Sequence, residues 1–215
     1  MEDNQATYDA RDAFSKTLGK VRPDFLAPLI NPSFMGGPRW PDLRQAWRVI
    51  QRKKGVAVLS DGLADPFDDS DAPNVGFGLE VIGETTDELP EPIQGSWLFD
   101  LVYGVSQQCA AHGGVADIVN DLGIVSLELP ATESLKPLET EEGRVGVLLG
   151  VAADDLPRHF ELPGGSVLLL TATLLMPTEL QYVVDNGTSG REEIAELLAE
   201  RGLFHRSSMT RPSVV

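Results

Sequence analysis

The chain has 215 residues, 42% of them hydrophobic and 23% charged, and its 17 basic against 33 acidic residues give a formal net charge of -16. That length and apolar share suit one domain with a core of its own and exclude a disordered chain. The charge excludes nucleic acid and anionic membrane as direct partners, because both need cationic surface to displace counterions; the longest apolar run, 167–176, holds two threonines and is about half a membrane span.

The acids are unevenly placed. Residues 1–57 carry ten Lys and Arg against six acids, 144–215 carry six against nine, and 58–143 hold 18 acids with Lys136 as their one basic residue. A middle third of net -17 favours a basic partner over an acidic one; the plainer reading is a solvated surface that serves solubility. Cys109 is the only cysteine, so neither an intramolecular disulfide nor a cysteine zinc site is expected, and a cytoplasmic location fits. The start, MEDNQATYDARDAF, has early acids and no apolar run, so no secretory signal is expected.

In chain order, residues 1–40 read as an arm packed on the domain, because Pro23, Pro28, Pro32 and Pro38 confine a helix to about Asp12–Lys20. Pro41 and Asp42 suit a first turn, and Leu43, Trp47 and Ile50 share a helical face, which predicts a short helix over 41–52. Arg44, Arg48, Arg52, Lys53 and Lys54 would line its outer side, as a solvated face or as partners for the protein's own acids. GVAVL at 55–59 reads as a strand, and Val75, Phe77, Leu79 and Val81 alternate along a second, so the two are expected to pair antiparallel across a long acidic loop. Trp97, Leu101, Val105 and Cys109 lie four apart between Ser96, a capping residue, and Gly113-Gly114, which predicts a helix over 96–112. Residues 124–129, 145–152 and 166–176 read as strands, the last two apolar enough to be central. Pro177 opens a helix that ends at Asn186-Gly187; Ser189 and Glu192 have capping-box spacing for another, stopped at Gly202. A polar tail, 203–215, is expected to be loosely held. The resulting fold class is α+β: one mixed, largely antiparallel central sheet packed with helices in a single domain, 41–202.

Candidate chemistry centres on residues 59–82. Asp61, Asp65, Asp68, Asp69 and Asp71 form an oxygen-rich loop that invites a calcium reading, but no EF-hand spacing can be drawn through them. The histidines His112, His159 and His205 stand in unrelated contexts, and Cys109 falls on a buried helix face. No nucleophile elbow, zinc helix, phosphate loop or dinucleotide fingerprint occurs; Gly76-Phe77-Gly78 lacks a third glycine and a following helix. No catalytic residue, metal ligand or cofactor is therefore expected, and the five aspartates are assigned to contact with a protein partner. The alternatives are a metal-dependent enzyme that uses the acidic loop and a regulatory scaffold that binds an extended peptide at a sheet edge.

The run SDGLADPFDD, then NVGFGLEV, then SWLFDLVYGVSQQ resembles the suppressor of fused domain family, with GRVGVLLGVAADDL and TELQYVVDNGTSGREEIAELLAERG similar to its later strand and closing helices. Gly62, Gly76, Phe77, Gly78 and Trp97 carry the resemblance, which covers roughly 40–202. It implies a non-enzymatic protein-binding module of the compact, single-domain bacterial type, some members of which have been proposed as immunity proteins against toxins. The basic partner would then be a toxin neutralised through the acidic surface.

Overall fold

A computed structural model describes residues 2–69 and 72–215. The chain opens with helix α1 (Glu2–Leu18) and strand β1 (Lys20–Leu26), followed by β2 (Ala46–Arg52), β3 (Gly55–Asp61) and β4 (Leu79–Thr85). Helices α2 (Trp97–His112) and α3 (Val115–Leu122) lead into β5 (Val125–Pro130), β6 (Arg144–Leu149), β7 (His159–Leu162) and β8 (Gly165–Leu174), and α4 (Pro177–Glu200) closes the order. The strands form one eight-stranded sheet in the order β1-β2-β3-β4-β8-β6-β5, with β7 pairing β8 off that path. The β4–β8 pair is parallel and the other pairs are antiparallel. The domain is α+β with a mixed, largely antiparallel sheet, as the alternating and helical periods together predict.

Both faces of the sheet are covered. On one, Leu98, Leu101, Val102, Val105 and Cys109 of α2 pack on Trp47 and Val49 of β2, Val58 of β3 and Leu79 and Val81 of β4. Gly83 admits the helix: a Cβ there would stand 2.7 Å from Val102 Cγ2. On the other, Leu18 of α1 and Phe160 and Leu162 of β7 cover Ile50, Ala57, Leu59, Ile82 and Leu169. A third cluster seats Leu180, Val183, Ile194 and Leu198 of α4 on Leu148. β4 is buried at every position, so Glu80 and Glu84, two strand repeats apart on its α1 face, lie inside the protein.

Several elements match the sequence reading. β3 and β4 pair antiparallel, Leu59 opposite Ile82, although β4 begins at Leu79 and the expected strand residues Val75 and Phe77 lie in the loop and turn before it; Ser96 Oγ accepts the Phe99 N–H at the start of α2 (3.2 Å). The two closing helices are one element broken at Gly187 (φ 61°, ψ -128°). Ser189 does not cap there; its hydroxyl donates to the Asn186 carbonyl (2.9 Å).

Three expectations are corrected, and two elements were not foreseen. The stretch 41–52 is not a helix: Leu43 has φ 54°, and Ala46–Arg52 pairs with β3 along its whole length. A spacing of four fits one helical turn and two strand repeats equally, so Leu43/Trp47 and Arg44/Arg48/Arg52 do not distinguish them. Trp47 and Val49 enter one core and Ile50 the other, which is the alternation of a strand. The segment 1–40 is integral: α1 begins at Glu2, and β1 extends the sheet although it contains Pro23, tolerated on an edge strand with a register shift between Val21 and Phe25. α3 and the four-residue β7 carry too little pattern to be read. The tail is held, not loose: His205, Arg206 and Ser207 are buried, as is Val214, and the Ser207 N–H donates to Glu84 O (2.9 Å).

Candidate protein-binding surface

The loop between β3 and β4 folds around a buried carboxylate. Glu80 Oε1 accepts the backbone N–H groups of Gly62 (2.9 Å) and Ala64 (3.1 Å), and Ser60 donates to Oε2. The Phe77 N–H donates to Leu63 O (2.9 Å) and closes the turn. Gly62 and Gly76 make this approach possible, with φ 145° and 53°: a Cβ on Gly62 would lie 2.5 Å from Arg44 O, and one on Gly76 2.3 Å from Asp65 O. Gly78, at φ 71°, turns the chain into β4, and Phe77 stacks edge-on against Phe67 at 5.3 Å. Trp97 is mostly buried at the start of α2.

Asp61 and Asp65 are fully buried, which corrects their assignment to partner contact. Arg11 reaches in from α1, its Nε 2.6 Å from Asp61 Oδ1, its Nη2 2.6 Å from Asp65 Oδ1 and its Nη1 3.2 Å from Glu80 Oε1. Arg44 and Arg48 complete the group: Arg44 pairs with both aspartates, and Arg48 Nε binds Asp61 Oδ2 at 2.5 Å. Burial raises the Asp61 carboxyl, but Arg11, Arg44 and Arg48 overcome it and hold the group below the usual carboxylate range. At Asp65 and Glu80 burial prevails over Arg11, and both are held above that range. A metal-dependent enzyme built on this loop loses these ligands, since guanidinium groups occupy Asp61 and Asp65.

At the other end of β4, Glu84 binds His205 Nε2 (3.2 Å), Arg206 Nε (3.0 Å) and Arg52 Nε (3.1 Å). Burial raises Glu84, and His205, Arg52 and Arg206 more than offset it, so the carboxyl stays below its ordinary value. Arg206 also binds Asp154 and Asp155 at 2.8 and 3.0 Å. Glu84, Asp155 and His205 bring ligand atoms within 4.8 Å of one another, but Arg52 and Arg206 already neutralise both carboxylates. Of the basic cluster read from the sequence, Arg44, Arg48 and Arg52 thus serve the protein's own acids, while Lys53 and Lys54 are exposed. Burial first, and then Glu80, push the Cys109 thiol up to about 12, which removes it as a nucleophile.

The acids left outside are those available to a partner. Asp68 and Asp69 are exposed on a loop pinned at its base, where Asn74 Oδ1 accepts the Phe67 (2.9 Å) and Gly76 (3.1 Å) N–H groups; Asp71 lies outside the described residues. Around the β5 edge of the sheet, Asp117, Asp121, Glu128, Glu133, Glu139, Glu141 and Glu142 are all exposed, with Lys136 paired to Glu133 (3.5 Å). β5 pairs only with β6 in the strand order, so its outer edge has no strand neighbour among the described residues. Sequence reasoning missed Arg11, whose helical neighbours look like a surface, and the exposed apolar side chains of Leu29, Ile30, Phe34 and Met35.

No helix among the described residues is long and apolar enough to cross a membrane. No family model matches the sequence, and no curated protein matches it significantly. Solved structures do. A chain of the Sufu–Fu complex matches with TM-score 0.59 over 99% of this chain and 92% of its own, at 15% identity. Drosophila Suppressor of fused gives the same TM-score and identity over 99% of this chain and 51% of its own. The chain therefore spans about half the length of the Drosophila protein. At such identity the likeness speaks for architecture alone, and over nearly its whole length the chain has the fold of Suppressor of fused.

Proposed function

We propose that the protein is a non-enzymatic, cytoplasmic protein-binding module whose partner is cationic. One observation carries this: the ion networks take up six arginines with eight carboxylates and leave an excess of acids over bases in the rest of the chain. Arg11, Arg44, Arg48, Arg52, Arg206 and Arg211 are bound to Asp12, Asp61, Asp65, Glu80, Glu84, Asp154, Asp155 and Glu179. Six arginines against eight carboxylates absorb only -2 of the formal -16, so the rest of the chain carries -14. Such a surface attracts and orients a basic protein and repels nucleic acid and anionic lipid. The likeness to a chain of the Sufu–Fu complex supports a protein as the ligand class.

The finer reading is immunity: a basic toxin, such as a nuclease, masked by this surface. Its test is a pulldown of the protein encoded beside this one, at low and at physiological salt, with that protein's toxicity assayed alone and together with this chain. The expected result is capture that weakens with salt and toxicity that this chain suppresses. Absence of capture at low salt ends the reading; capture of a harmless neighbour keeps binding and ends immunity. A regulatory scaffold is the second reading, favoured by the open β5 edge, where an extended peptide could add a strand beside Ser126 and Glu128.

A further inference from the structure

The end of the sheet where β3 leaves and β4 enters carries apolar surface that the fold does not use. Leu29, Ile30, Phe34 and Met35 are 101%, 58%, 75% and 76% exposed, on a short segment around the 3-10 turn Pro32–Met35. This segment is tied down: Asn31 Oδ1 accepts the Ser33 N–H (3.0 Å) and its amide donates to Leu43 O, and the Gly37 N–H donates to Pro32 O (2.9 Å). Large apolar side chains held outward by a fixed backbone mark an interaction surface. Beside it, a cleft of about 340 Å³ lies between Arg39, Trp40 and Pro41 on one side and Phe67, Asp68 and Asp69 on the other. Trp40 is fully buried, so this wall of the cleft is anchored in the core.

We propose that this end of the molecule docks a segment of a partner protein that carries both apolar anchors and lysine or arginine. The anchors lie on Leu29, Ile30, Phe34 and Met35, and the cations lie against Asp68 and Asp69. This deepens the protein-binding reading and rests on it. Charge selects the occupant. Two aspartates at the rim and a net charge of -16 repel an anionic lipid surface. A second copy related by two-fold symmetry would set acidic loop against acidic loop. Arg39 is the one cation in the lining among the described residues, and a cationic occupant does better without it.

The test uses the full chain and a fluorescent peptide of alternating leucine and lysine, with leucine–glutamate and serine–lysine peptides as controls. The leucine–lysine peptide should bind more tightly than either control. Phe34→Ser/Met35→Ser and Asp68→Asn/Asp69→Asn should each weaken it about tenfold, the second mainly at low salt, while Arg39→Ala should tighten it. These side chains stand outside the core, so the thermal midpoints of the variants should match that of the native protein, which separates lost binding from lost fold. Native affinity in both double variants places the peptide elsewhere and overturns the proposal. So does weakening by Arg39→Ala, which points to an acidic occupant, and so does a dimer in sedimentation that Phe34→Ser/Met35→Ser dissolves. If a cationic protein binds native chain and variants alike, only the location fails; if nothing cationic binds the native chain, the protein-binding reading fails with it.

Discussion

Asp61 and Asp65 stand inside the molecule, and Asp68 and Asp69, a few residues along the same loop, stand outside it. Their fates differ because of what reaches them. Arg11 comes from α1, Arg44 and Arg48 from β2 and the segment before it, and together they enclose the first pair; no cation meets the second pair in an ion contact among the described residues. The inner acids belong to folding, and the outer acids are the ones proposed for association. A buried ion network is costly to break once built, since removal of one partner leaves charges without solvent.

Arg11→Met breaks the inner group most severely, because it strands Asp61, Asp65 and Glu80 at once. The expected loss is about 3–5 kcal/mol or failure to fold, read by urea unfolding. Asp61→Asn comes next, at about 1–3 kcal/mol, and should cost more than Asp65→Asn. Asp61 is favoured ionised in the fold, whereas Asp65 is disfavoured ionised, so neutralising Asp65 relieves part of what it removes.

These opposite shifts also set the pH dependence. Asp61 and Glu84 lie below their ordinary values, so the stability they contribute is present above their unfolded values and disappears as pH falls through the folded ones. Asp65 and Glu80 lie above, so their ionisation lowers stability as pH rises past the unfolded values. Unfolding at about pH 3 and about pH 6 should show a smaller acid loss in Glu84→Gln than in the native chain; an unchanged acid loss would remove Glu84 from the account. The smallest effect is expected for Asp68→Asn/Asp69→Asn, within about 0.5 kcal/mol of native stability.

The sequence carried the fold class through elements whose local signals agree. α2 was legible because Ser96, a run of apolar residues four apart and Gly113 mark start, face and stop together; β3 and β4 were legible because apolar runs flank a turn-rich loop. Residues 46–52 misled because a four-residue spacing serves both periods, and β1 was hidden by Pro23. The inner half of the candidate site was illegible for a different reason. Nothing local distinguishes Asp61 from Asp68, and only the tertiary approach of Arg11, fifty residues upstream of Asp61, determines which of them is buried. The glycines of the signature were visible in the sequence; that they let the loop close on Glu80 was not.

The most direct test of this division is the association rate of the fluorescent leucine–lysine peptide with the native chain and with Asp68→Asn/Asp69→Asn, measured by stopped flow at low and physiological salt. The native rate should fall steeply with salt, and the variant should be fully folded yet several-fold slower at low salt. Equal rates for the two proteins at low salt, or a variant that fails to fold, would contradict it.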